Sequence, residues 1–262
     1  MKNLLLSLFF TLPMLAAELT PAAVSKVAAN NFLASLDPVK RDPAKYYVAI
    51  FGTPGDPKGW GWRLEGHHVS INLTLVDGKY VSVTPSFLGS NPGEVRQGAK
   101  NGLRVLAAEE DLARPLATTL LAAGKTEVIF SDKAPAEILS FENRKATALD
   151  PVGVLSSDLT GTQRSALLTL ISEYTGRYRP EIAATDMAKI KAAGLEKIRF
   201  GWAGGAKPGD AYYYRIQGPI FLMEAANTRT TPTTSTPLGA ISPATSAATS
   251  SASTSAGSTE PA

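Results

Sequence analysis

The feature that most restricts the fold is a period of two in VSINLTLVDGKYVSV, residues 69 to 83. Val69, Ile71, Leu73 and Leu75 are apolar at odd positions, and Ser70, Asn72 and Thr74 fill the even ones. Successive strand side chains point to opposite faces, so the alternation predicts a strand with one face buried and one wet. Asp77-Gly78 follows, a dipeptide suited to the left-handed backbone of a hairpin turn. The return stretch KYVSVTPSF places Val81, Val83 and Phe87 on odd positions. A strict two-residue loop would set Thr74 against Val81 and mix the faces. A three-residue loop, Val76-Asp77-Gly78 with Gly78 left-handed, would set Leu73 against Val81 and Ile71 against Val83. Apolar then meets apolar, so the expectation is a turn carrying a glycine bulge.

Other segments read as helices and further strands. Residues 38–51 leave room for a short helix through Tyr46 and Ile50, and FGTPGDPKGWGW reads as a loop because of its glycines and prolines. NGLRVLAAEEDLARPLATTLLAAG, residues 101–124, is helical in composition, with Pro115 expected to kink or split it. TEVIFS reads as a short strand. LTGTQRSALLTLISEYTGRY is a helix capped by Thr160 or Thr162, and residues 183–193 form another, closed by Gly194. KIRFGWAGGAKPGDAYYYRIQGPIFLM reads as two or three strands joined by a Gly/Pro turn. Helices between groups of antiparallel strands predict one α+β domain over residues 18–227.

The ends differ from this body. MKNLLLSLFFTLPMLAA has a positive start, a short apolar run and small residues before a cleavage point after Ala17. That is the form of a secretory signal peptide, and the run is too short to span a bilayer. The mature chain is expected to be exported, periplasmic or extracellular, with no transmembrane segment. After it, TPAAVSKVAANNFLASL begins like a capped helix with Pro21 at its first position. From Thr228 the chain is rich in Ser, Thr, Ala and Pro and lacks aromatics, so residues 228–262 are expected to be disordered. The chain has no cysteine, which excludes thiolate metal sites, catalytic thiols and disulfides. Lys and Arg number 26 against 23 acidic residues, with no basic run interleaved with aromatics, so nucleic acid is not an expected partner.

Candidate chemistry centres on EGHH, which holds the chain's two histidines, His67 and His68, beside Glu65. On one continuous strand His67 would share a face with Glu65, Val69 and Ile71, and His68 with Ser70 and Asn72. Adjacent imidazoles on opposite faces chelate one ion only if a bulge re-aims one of them. Two roles stay open: structural histidines, or at least one metal ligand or general base with Glu65 orienting it. In YYYRIQGP, Tyr213, Arg215 and Gln217 make a polar face, and Arg215 is suited to hold a carboxylate or phosphate. Glu224 follows on the next strand. Glu109 and Glu110 diverge on their helix, and Glu110 with Arg114 reads as a surface ion pair. GWAGGAKPG lacks the spacing of a phosphate-binding loop and reads as a hairpin.

WGWRLEGHHVSINLTLVDGKYVSVTPSFLGSNPGEV, LAAEEDLARPL, FGWAGGAKPGDAYYYRIQGP and FLMEAANT occur in this order. Together they resemble the domain-of-unknown-function 3500 family of exported, mostly bacterial proteins, over roughly residues 25–228. The resemblance implies no particular reaction. The family pattern continues past Asn-Thr into His-x-His and Val-Trp-Arg-Asp, whereas here Glu224, Asn227 and Thr228 are kept and no histidine follows His68. A family site built from both histidine pairs would be half present here, through loss of an ancestral activity or through a shifted or truncated gene. The functional expectation is a polar pocket formed by Glu65, His67, His68, Arg215 and Glu224. It would be a metal-assisted hydrolytic or a ligand-binding site, with a divalent metal on His67 and His68 and a small-molecule or envelope ligand. The alternative is a non-catalytic envelope binding protein with structural histidines.

Overall fold

The computed structural model describes residues 43–90, 93–140 and 148–228, and the backbone of 237–242. The leader and the helix expected after Pro21 lie outside the described residues. The strands form one 11-stranded sheet in the order β1-β2-β3-β5-β11-β10-β9-β8-β6, with β4 on β3 and β7 on β8. They are β1 (Tyr47–Phe51), β2 (Trp60–Gly66), β3 (Val69–Val76), β4 (Lys79–Ser82), β5 (Ser86–Gly89), β6 (Ile129–Ser131), β7 (Val154–Leu155), β8 (Arg199–Gly204), β9 (Tyr212–Gly218), β10 (Phe221–Asn227) and β11 (Pro237–Ser242). Every pairing is antiparallel except β6 with β8. Among the described residues three α-helices, α1 (Ala107–Ala122), α2 (Gly161–Thr175) and α3 (Pro180–Ala193), join the sheet in the α+β fold.

The core lies between the helices and one face of β8–β10. Leu116 and Leu120 of α1 and Leu167 and Ile171 of α2 pack on Phe200, Trp202, Tyr214 and Met223. Trp202, Tyr212 and Tyr214 stack in parallel, with Trp202–Tyr212 centroids 4.9 Å apart. Arg114 lies over the Trp202 and Tyr212 rings at 5.1 and 4.9 Å and donates to the carbonyls of Gly205, Lys207 and Asp210. It also pairs with Glu110 at 2.8 Å. Arg114 is 6% exposed, so this pair belongs to the core and not to the surface as its spacing suggested. The guanidinium gains both aromatic faces and the hairpin carbonyls, which offsets its loss of water.

Local signals account for much of this. Thr160 caps α2 in a reciprocal box with Gln163, α3 opens on Pro180, and Gly194 (φ 105) closes it. α1 runs through Pro115 without splitting. Other expectations are corrected. Residues 47–51 are strand β1, not helix, and Trp60, Gly61 and Trp62, expected in a loop, belong to strand β2 with the residues that follow. The Asp77-Gly78 loop has two residues, both left-handed (φ 52 and 65), and pairs Val76 with Lys79 and Leu75 with Tyr80. The register then shifts so that Thr74 faces Ser82. Val81 is passed over and stays 38% exposed, while Val83 is buried. The bulge therefore sits inside the ladder and not in the turn. Within the tail expected to be disordered, Pro237–Ser242 forms β11, inserted between β5 and β10.

Candidate functional site

His67 and His68 are the two central residues of a tight hairpin turn, since Gly66 pairs with Val69 across β2 and β3. The expected single strand is thus folded back on itself at the histidines. His68 takes the left-handed backbone such a turn needs (φ 62), a position where His is more tolerated than most side chains. Because both residues sit at the tip, their rings are neighbours, with centroids 4.1 Å apart at 61°. His67 is exposed and His68 half-buried. The His68 ring rests over Gly89, where a Cβ would lie 2.6 Å from Nδ1, and Gly89 N donates to His68 O at 2.8 Å. Tyr46 donates its hydroxyl to His67 O at 3.3 Å. Glu65 has its carboxylate 3.1 Å from Arg63 Nε. Among the described residues no group of three or more His, Asp or Glu side chains could hold a metal ion.

Arg215 and Glu224 are register partners on β9 and β10, and both are buried. They face away from the helices, under a segment that runs from β6 to β7. Phe130, Ala134 and Ile138 of that segment pack on Ala203, Tyr213 and Ala226. Glu224 accepts from the Tyr213 hydroxyl at 2.6 Å and from Leu139 N and Ser140 N at 2.9 and 3.3 Å. Arg215 donates to Asp150 O and lies over Phe130. Gln217 both donates to and accepts from the Leu149 backbone. The polar face read from YYYRIQGP therefore exists, and its partners are the chain's own backbone and the Glu224 carboxylate. Burial, reinforced by the Glu224 charge beside it, pushes the Tyr213 phenol far above its ordinary pKa.

Glu65, Glu224 and Arg215 fall in one cross-strand row, through Ser70, Phe87 and Ala240. All therefore face the same side of the sheet. With neighbouring strands about 4.8 Å apart, four spacings separate Glu65 from Glu224, about 19 Å. From the start of β3, where His68 sits, three spacings reach β10, about 14 Å. The five candidates thus form two clusters, an open histidine hairpin and a buried Arg-Glu-Tyr knot.

A third location was not anticipated. On the same side, a groove of about 460 Å³ crosses β1–β3, lined by Phe51, Trp60, Gly61, Asn72, Thr74 and Thr84 among others, with Lys58 at its rim. Phe51, Gly61 and Thr74 stand in one row. Gly61 is fixed by the backbone, since a Cβ there would collide with Leu73 O. Its sequence signal lies in FGTPGDPKGWGW, whose glycines and prolines suit a loop as well as a strand edge. Two other buried carboxyls have shifted pKa values. Glu109 pairs with Arg177 and is nonetheless raised above its ordinary value by burial. Asp186 accepts from the Tyr80 hydroxyl at 2.8 Å and is also raised by burial.

These features define an α+β domain with its charged motif residues locked in the core and an open face beside a histidine hairpin. The chain belongs to the family described as protein of unknown function (DUF3500), whose model matches residues 10–240. That match extends past Thr228 into β11. No curated protein and no solved structure matches the chain.

Proposed function

We propose that this chain is an exported ligand-binding protein that takes its ligand on the open side of β1–β5. The observation that carries this reading is the use made of Arg215 and Glu224. Their hydrogen-bonding groups are directed at Asp150, Leu139, Ser140 and Tyr213, so they support the fold and cannot also hold a substrate. The same side offers an accessible groove and an exposed histidine hairpin some strands away. Such a concave patch with an aromatic wall and a few polar groups is the usual form of a small-molecule site. Thermal-shift screening of the exported chain against small molecules and envelope polymers should give at least one stabilising ligand, without turnover of ester, phosphate or glycoside reporters. Turnover abolished by His67→Ala/His68→Ala would overturn it.

The metal-assisted reading keeps one specific support, the adjacency of the two imidazoles. Two neighbouring nitrogens could furnish half of a tetrahedral shell, the rest coming from water or ligand. Elemental analysis decides it. Stoichiometric zinc, iron or manganese in the wild type and none in the double variant would favour that reading.

A further inference from the structure

We infer that the groove across β1–β3 is a saccharide-binding site, a specification that rests on the binding-protein reading. Its geometry comes from one missing side chain. In the row Phe51, Gly61, Thr74, the outer two residues stand on either side of a glycine floor. Two strand spacings separate them, about 10 Å, enough to admit a flat six-membered ring. Phe51 is 52% exposed on the edge strand, with the Arg63 guanidinium over its ring at 5.5 Å, and the part of the ring that Arg63 leaves open is an apolar platform for the carbon-hydrogen face of a pyranose. The opposite wall is hydroxyl and amide. Asn72 donates Nδ2 to Pro85 O at 2.5 Å, which fixes the amide and leaves Oδ1 as an acceptor. Thr84 is held by Ser82 at 2.6 Å, and the exposed Thr74 hydroxyl can both donate and accept. Vicinal sugar hydroxyls need such neutral groups, which give and take hydrogen bonds.

The lining also argues against other ligands. Lys58 is the one charged side chain of the lining, and Arg63 beside Phe51 is paired with Glu65, which leaves too little positive charge for a nucleotide's phosphates. An acyl chain would gain little from an open trough with hydroxyls along one wall. The aromatic strip continues beyond the groove, because Tyr47 lies on the same face of β1 four residues from Phe51, about 13 Å along the strand, and is 65% exposed. A chain of linked sugars therefore fits better than a single ring. Lys58 at one end would add a contact to an acidic sugar.

The test is calorimetric titration of the full exported chain with neutral hexasaccharides (glucose, xylose and N-acetylglucosamine oligomers) and with an oligouronate. At least one should bind. Phe51→Ala should weaken it about tenfold or more, as loss of a stacking anchor does. Thr74→Val should weaken it several-fold, and both variants should keep the wild-type melting curve. Preference for the oligouronate, erased by Lys58→Gln, would identify the acidic source, and equal binding the neutral one. Folded wild type that binds none of these sugars would overturn the inference, and so would undiminished binding by Phe51→Ala. If sugars fail while another small molecule stabilises the chain, only the saccharide assignment falls. If reporters are turned over through the histidines, the binding-protein reading falls with it.

Discussion

β8–β10 and β1–β3 are both antiparallel ribbons rich in aromatics, yet their surroundings are opposite. On β8–β10 the helices bury one face, and the segment between β6 and β7 buries the other. Trp202, Tyr213 and Tyr214 are fully inaccessible there. Its charged groups are Arg199, Arg215 and Glu224, with Arg114 of α1 packed on it, and each is bound by backbone carbonyls or amides. On β1–β3 the aromatics Tyr47 and Phe51 are more than half exposed, and the charges pair as a partly exposed Arg63–Glu65. The difference separates two uses of polar residues. In the first ribbon they hold a cover in place. In the second they pair at the surface and hold no cover in place.

The largest effect should come from the closed ribbon. Trp202→Ala removes a fully buried indole that also carries Arg114, and should cost about 4 kcal/mol in denaturant unfolding. Glu224→Ala strips the acceptor from the Tyr213 hydroxyl and two amides, and should cost about 3 kcal/mol. Hydrogen exchange should show Leu139 and Ser140 amides losing protection. If they stay protected, the cover is not held by the carboxylate.

Asp186 joins α3 to the β3–β4 hairpin through Tyr80 and so tests the seam between the ribbons. Burial raises its pKa, so the folded state binds the proton more tightly than the unfolded one. Its contribution is complete below the ordinary value of 3.8 and is lost as pH rises through the raised one. Wild type should therefore lose stability relative to Asp186→Asn across that window, and a gap that does not change with pH would contradict the assignment. Smallest of all, Tyr47→Ser and Phe51→Ala on the open ribbon should change stability by no more than about 0.5 kcal/mol. A loss comparable to that of Trp202→Ala would mean the open face is core.

What the sequence reveals follows from how local each cause is. The Thr160–Gln163 box, Gly194 and the β8–β9 turn are written within a few residues, and all are legible. The histidine turn is not, because its left-handed position is filled by His68 where glycine or asparagine would have signalled it. At Asp77-Gly78 two local rules conflict. The dipeptide favours a two-residue turn, whereas face parity asks for three. The chain satisfies both by moving the extra residue to Val81. Arg215 and Glu224 show the limit of periodicity. Alternation marks their face as polar, but their partners lie 65 to 85 residues away, so the pattern cannot tell a binding site from a self-satisfied core.

Gly61 has a consequence for how relatives of this chain could diversify. Any side chain there would strike Leu73 O before it could fill the groove, so the floor is protected by the hairpin's own need to close. Substitution therefore has no access to the floor. Change must fall on the walls, at Phe51, Thr74 and Thr84, which carry no such backbone constraint. Lineages that keep the hairpin inherit the trough and are free only to repaint its sides.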